Sequence, residues 1–219
     1  MSKECRFCHM LESTRDDVGC EPWDQVLIQT PNFVVLPTIG AIVEGWVLLV
    51  PKKHYLCIGA LKNELLLELE ELKSLVSEIL QDCYGAITVF EHGPASTGHP
   101  VGCGIDHAHL HMVPTKCDLI KGVREVFPHS LQWIEARGIK DTVTYYEKGL
   151  SYLYIEQPIG KAYLASHLSL VSQLFRRVIA VSVGHPERYD WNIFKEQHIV
   201  ELTVNKLRAQ IAGMTTKVK

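Results

Sequence analysis

The 219-residue chain is 47% hydrophobic and 21% charged, with a formal net charge of −3. That allows one large domain with a buried core and gives no electrostatic basis for binding nucleic acid. Apolar runs such as residues 46–50 are far too short to span a bilayer, and Met1-Ser2-Lys3-Glu4-Cys5 does not resemble a secretory signal. Seven cysteines, an odd count without small-scaffold spacing, point to a reducing compartment and a cytoplasmic location. In chain order, residues 5–20 read as irregular. Residues 25–29 and 33–36, parted by Thr30-Pro31-Asn32, predict a β-hairpin, and 46–50 a third strand closed by Pro51. Asn63 is placed to cap a helix running to about residue 83, with one apolar stripe of Leu65, Leu69, Leu72, Val76, Ile79 and Cys83. Residues 86–90 predict a fourth strand. The stretch from His92 to Gly104 holds four glycines and two prolines and reads as a loop. Beyond Pro114, residues 142–146 and 152–155 predict a second hairpin, and 168–183 and 191–211 predict helices broken by Gly184-His185-Pro186. The fold class is α+β, with a first domain over 1–116 and a C-terminal extension over 117–219.

The most informative run is Asp106-His107-Ala108-His109-Leu110-His111-Met112-Val113-Pro114. As a fifth strand it sets three imidazoles on one face and Ala108, Leu110 and Met112 on the other. His107 and His111 then stand about 13 Å apart, too far for one ion to be held by all three. The three histidines must divide their work.

Cys5-Arg6-Phe7-Cys8 has the spacing of half a zinc site. His54, at the end of one predicted strand, and His107 on another would complete a tetrahedral set. His9 competes poorly because it adjoins Cys8. Cys20, Cys57, Cys83, Cys103 and Cys117 lack such pairing and mostly read as small buried apolar residues.

Taken together, the N-terminal Cys-x-x-Cys, Leu49-Val50-Pro51-Lys52-Lys53-His54, the amphipathic helix and His-Ala-His-Leu-His-Met-Val-Pro resemble the histidine triad superfamily over about residues 4–116. That resemblance implies a five-stranded antiparallel sheet with a long helix, commonly assembled as a homodimer. It also implies nucleotidyl hydrolase or transferase activity, the galactose-1-phosphate uridylyltransferases being a related branch. By the same resemblance His109 is the nucleophile, attacking phosphorus through Nε2 while its other nitrogen is held by an acceptor. His111 donates to phosphoryl oxygens or to the leaving group. His107 joins Cys5, Cys8 and His54 around a structural zinc; in metal-free relatives the equivalents of His54 and His107 instead make hydrogen bonds within the site.

The chain departs from the family pattern at three places on the substrate side. Gly102-Cys103 stands where relatives carry Gly-Gln, Glu91-His92 where an Asn is common, and Thr38 where an Asp holds the ribose. The expected substrate contacts are His92, Gly102, Cys103 and Thr38. Outside the resemblance, Arg176 and Arg177 form a guanidinium pair suited to an oxyanion. Tyr152, Tyr154, Trp191 and Phe194 read as packing residues, and Asp106 as a hydrogen-bonding carboxylate turned away from the histidines. The expected activity is hydrolysis of a nucleoside phosphoramidate or dinucleoside polyphosphate. The alternatives are a nucleotidyl or sugar-phosphate transferase and a non-catalytic nucleotide-binding scaffold.

Overall fold

The computed structural model describes residues 5–12, 21–102, 104–127, 131–158, 160–166 and 171–217. The predicted hairpin forms as β1 (Ile28–Gln29) and β2 (Phe33–Pro37), followed by β3 (Val47–Pro51). Its turn is tied to the long helix α2 (Asn63–Tyr84) by one carboxylate. Glu68 accepts from Thr30 Oγ1 at 2.6 Å, from Asn32 N at 2.9 Å and from Asn32 Nδ2 at 2.6 Å. The helix buries Leu66, Leu69, Leu72, Val76, Ile79 and Leu80. Leu65 and Cys83 of the expected stripe are half-buried, so the buried face rolls by one residue at each end. Gly85, with φ at +85°, ends the helix in a conformation that favours glycine.

β4 (Ile87–Gly93) and β5 (Leu110–Pro114) supply the expected fourth and fifth strands. The sheet does not stop there. β6 (Ile134–Ala136), β7 (Tyr152–Glu156) and β8 (Ala162–Ala165) extend it to eight antiparallel strands in the order β1-β2-β3-β5-β4-β7-β8-β6. Phe90 pairs with Ile155 across the β4–β7 join. The segment after residue 117 therefore continues the sheet and does not simply pack on the first domain.

The second hairpin is corrected in its first arm. Residues 142–147 form helix α4 (Thr142–Glu147), and β7 pairs with β8 instead. The run Thr-Val-Thr-Tyr-Tyr has strand character, yet it packs tightly on the turn at Gly59, where an added Cβ would lie 2.8 Å from Thr142 O. Tertiary contact overrides propensity here. The predicted C-terminal helices begin later than expected, as α5 (Leu174–Ser182) and α6 (Gln197–Lys217), and residues 167–170 lie outside the described residues. Two short helices complete the set, α1 (Arg6–Glu12) and α3 (Leu119–Val126). No described helix is long and apolar enough to cross a membrane.

Both faces of the central strands are covered. Phe33, Val35, Val47, Leu49, Ala108, Leu110 and Met112 face the cluster built on α2. On the other face Val34, Leu36, Leu48 and Val50 pack under Phe7 of α1. Further along that face Trp46, Phe90, Leu153 and Ile155 pack under α3 and α5. Because neither face meets water, β2 and β3 read as unbroken apolar runs instead of alternating ones. A seam between α1 and α5 is left over the middle of the sheet, and the histidines sit in it.

Candidate functional site

The ladder with β3 begins only at Leu110, so His107 and His109 precede the paired strand. Other hydrogen bonds, one from a side chain and one from the backbone, take over where pairing stops. His107 Nε2–H donates to Pro51 O at 2.8 Å, and Ala108 N donates to Tyr55 O at 2.7 Å. The in-and-out alternation survives. The Phe7 ring meets His107 at 5.5 Å and His109 at 5.8 Å, and the His109 and His111 rings are 4.9 Å apart.

Cys5, Cys8, His54 and His107 come together as the sequence spacing suggested. Their ligand atoms all lie within 4.8 Å of one another. Cys5 Sγ is 3.3 Å from His107 Nδ1, and Cys8 Sγ is 3.3 Å from His54 Nδ1 and 3.6 Å from His107 Nδ1. Such separations suit four ligands on one small ion with M–S near 2.3 Å and M–N near 2.0–2.1 Å. The carbonyl of Pro51 fixes the His107 proton on Nε2 and turns the Nδ1 lone pair toward the thiols, an outer-shell contact common at metal-bound histidines. Burial pushes the Cys8 thiol up to about 11, reinforced by its hydrogen bond with Cys5, and pulls His107 down to about 4. This donor set can hold a metal ion.

His109 uses the opposite nitrogen. Its Nδ1–H donates to His107 O at 2.7 Å, which leaves the lone pair on Nε2. His111 is held the other way round. Trp46 Nε1–H, which can only donate, lies 3.1 Å from His111 Nδ1, so the His111 proton sits on Nε2. Phe90 stacks on the His111 ring at 4.4 Å. Burial lowers the pKa of both rings, and for His111 the neighbouring His109, His92 and Arg176 add to the effect. Both imidazoles are neutral at physiological pH.

His109 and His111 line a cavity of about 20 Å³ together with Phe7, Thr38, Ile39, Leu48, Ile105, Arg176 and Trp191. That is room for about one water. Arg176 is 1% exposed. Its guanidinium lies 4.9 Å from the Trp46 ring centroid, donates from Nε to Tyr189 O at 2.8 Å and from Nη2 to Gly40 O. The segment between α5 and α6 supplies the outer wall. Lys195 O accepts from Gly40 N at 2.8 Å, and Gly40, at φ +65°, leaves no space for a Cβ beside Trp191 and Phe194.

Of the residues expected at the substrate, Thr38 and Arg176 reach this cavity and three others do not. His92 is packed behind the sheet surface, where its Nε2 accepts from Phe175 N at 3.3 Å, and burial pulls it down to about 3. Arg177 stacks over Tyr189 at 3.7 Å and donates to Ser172 O. Gly102 lies along a separate loop groove with Gly98, His99, Asp106 and Ser172. Cys103 and Cys20 lie outside the described residues. Glu91 neither repels a phosphate nor orients an imidazole. It points to the α2 face, where it accepts from Ile58 N and Tyr152 Oη, both at 2.6 Å, and burial pushes it up to about 7. Asp106 accepts from Gly98 N at 2.7 Å, away from the histidines, as read from the sequence. Trp46, Phe7 and Trp191 were not assigned to the site. The signal for Trp46 was its register, since Trp46 and Leu48 share a face of the β3 segment and Leu48 pairs with His111.

The chain matches no protein-family model and no curated protein. Solved structures similar to it are histidine triad and related proteins. A hypothetical histidine triad nucleotide-binding protein from Sulfolobus tokodaii is 23% identical, with 52% of this chain and 71% of that one covered and a TM-score of 0.41. Yeast Ap4A phosphorylase, solved with AMP, is 12% identical over 77% of this chain and 73% of that one, at a TM-score of 0.41. A galt-like protein from Arabidopsis thaliana is 13% identical over 94% and 92% respectively, at 0.43.

Proposed function

We propose that the protein is a zinc-bearing enzyme of the histidine triad type that transfers or hydrolyses a phosphate-linked group, a nucleotidyl group in the first instance, through a covalent intermediate on His109. The observation that supports this most is the opposed proton placement on two adjacent buried histidines facing one cavity. His109 offers a lone pair on Nε2, and His111 offers a proton on Nε2. Nε2 of His109 attacks phosphorus, a P–N bond forms and the bond to the leaving group breaks. The phosphorylated imidazole is cationic, and its Nδ1–H remains on His107 O. In the second step water or another acceptor attacks phosphorus, the P–N electron pair returns to Nε2, and the proton of the attacking water passes to solvent. His111 Nε2–H and the Arg176 guanidinium stabilise charge spread over the phosphoryl oxygens. A bound zinc would be held by Cys5, Cys8, His54 and His107 and would fix α1, and with it Phe7, against the sheet.

The cavity is smaller than a phosphate. Substrate access therefore requires Phe7, Ile105 or Trp191 to swing aside, which shields the intermediate from stray water once they return. This closure supports a transferase as the second reading. Incubation with an unlabelled nucleotide panel, followed by acid-free mass spectrometry, tests both. A nucleotidyl adduct on His109 that decays faster with an added acceptor than with water marks the transferase. His109→Ala is expected to lose at least about a thousandfold in turnover while keeping its fold. Full turnover in that variant would remove the nucleophile, and nucleotide binding with no adduct and no turnover in the native protein would leave a scaffold.

A further inference from the structure

The contact between Trp46 and His111 limits what His111 can do as well as orienting it. We infer that Trp46 is a positioning residue which locks His111 as a hydrogen-bond donor that cannot act as a general acid, so that the site accepts only substrates whose leaving group departs as a stable anion. This rests on the reading of His109 as nucleophile and narrows it to a substrate class.

A general acid must lose a proton and remain a plausible species. An imidazolium meets this, because it gives one proton and becomes neutral. His111 has one proton only, on Nε2, since the indole N–H occupies Nδ1 at 3.1 Å. Surrender of that proton would leave an imidazolate. Protonation of Nδ1 would place two N–H groups head to head inside a buried aromatic nest, with Phe90 stacked at 4.4 Å and Trp46 itself fully buried. Arg176 adds a second obstacle. Its charge sits over the indole ring at 4.9 Å, which strengthens the N–H as a donor and disfavours another positive charge beside it. None of the described residues that line the cavity replaces the missing acid. Among the described residues lining the cavity there is no carboxyl or lysine, and a guanidinium does not give up its proton. Glu91 faces the other side of the sheet.

The step then balances only one way. The P–N bond forms at His109 Nε2, the P–O bond breaks, and its electron pair leaves on an oxygen that is stable unprotonated. Phosphoric anhydrides and phosphate-terminated leaving groups satisfy this. An alkylamine, expelled from a phosphoramidate, does not, because it must collect a proton as it departs. The anhydride arm of the expected substrates is favoured over the phosphoramidate arm.

The experiment has two independent readouts. Long-range ¹H–¹⁵N spectra of the full-length protein, with His111 assigned by substitution, report which nitrogen carries the proton. In the native chain His111 is expected to show an unprotonated Nδ1, and Trp46→Phe to show both tautomers. A protonated His111 Nδ1 in the native chain, or an unchanged single tautomer in Trp46→Phe, would overturn the positioning role. The spectra decide this even if no substrate turns over, so failure of the proposed activity and failure of this inference are separable. The second readout is kcat/KM for a series of AMP aryl esters of graded phenol acidity, with an alkyl phosphoramidate of AMP. Rates are expected to fall by about tenfold for each unit rise in leaving-group pKa, with the phosphoramidate slowest, as a loose transition state without an acid requires. Trp46→Phe is expected to flatten the series. A flat series in the native enzyme, or a phosphoramidate turned over as fast as the most acidic ester, would overturn the restriction.

Discussion

His107 and His109 lie two residues apart on one segment, yet they are prepared for different chemistry by where a single carbonyl falls. Pro51 O takes the Nε2 proton of His107 and turns Nδ1 toward two thiols. His107 O takes the Nδ1 proton of His109 and turns Nε2 toward a cavity. Both rings touch Phe7, both are buried and both are neutral, so environment alone does not separate them. The lesson is that the hydrogen-bond acceptor behind an imidazole selects the nitrogen in front of it. At His111 a donor stands behind the ring, and the outcome inverts.

Two corners prepared in this way are expected to break independently. The largest contrast pairs His109→Ala with Cys8→Ser. The first should lose turnover and keep a metal content near one per chain. The second should lose metal and lower the unfolding midpoint by roughly 10 °C, while turnover per folded molecule falls less than tenfold. Metal analysis, calorimetry and steady-state rates on both variants decide the matter; loss of metal from His109→Ala would merge the two corners into one.

A smaller effect sharpens the same contrast from the far side of the sheet. Glu91 accepts from Ile58 N, and Tyr152 Oη accepts from Gly59 N at 2.9 Å, so this pair anchors the turn that follows His54. Burial raises the Glu91 carboxyl from its ordinary value of 4.5 to about 7. The folded chain thus holds its proton more tightly than the unfolded chain. The contribution is fully favourable below pH 4.5 and is lost as pH climbs through 7. The loss amounts to about 3 kcal/mol at most, at roughly 1.4 kcal/mol for each tenfold difference in proton affinity between the two states. Glu91→Gln removes this titration, so the native protein should lose stability relative to the variant between pH 4.5 and 7.5. Denaturant midpoints at several pH values would show it, and a constant difference across that window would refute it. The smallest effect is expected at Arg177, whose guanidinium covers Tyr189 outside the cavity. Arg177→Ala should change turnover by less than about twofold, and a hundredfold loss would return it to the site.

The candidate metal-holding set was legible because spacing carries its chemistry: Cys-x-x-Cys, a histidine closing a strand after Pro51, and a period-two histidine run nominate four donors that the fold then brings together. The proposed nucleophile followed only from the resemblance of that run to the histidine triad pattern; the spacing alone said no more than that the three histidines divide their work. The long helix and first three strands were readable from periodicity and turn residues. The wall built by Arg176, Trp191 and Gly40 was not, since these positions are 136 residues apart for the Arg176–Gly40 contact and no local pattern joins them. His92 misled because a histidine beside a strand end looks polar, while Phe175 and Phe90 in fact enclose it. Residues 142–146 misled because β-branched and aromatic residues suit a strand, and only the contact with the turn at Gly59 makes them helical.

β5 lies between β3 and β4 near the centre of eight strands, with a ladder on each side. Backbone amides in such a place are expected to exchange with solvent only when the whole domain opens, and those of the peripheral 186–196 segment through smaller openings. Deuterium uptake should therefore be slower at Leu110 to Val113 than around Trp191. Selection acting on the traffic of molecules to and from the proposed nucleophile is then free to reshape that peripheral segment without loosening the strand that follows His109.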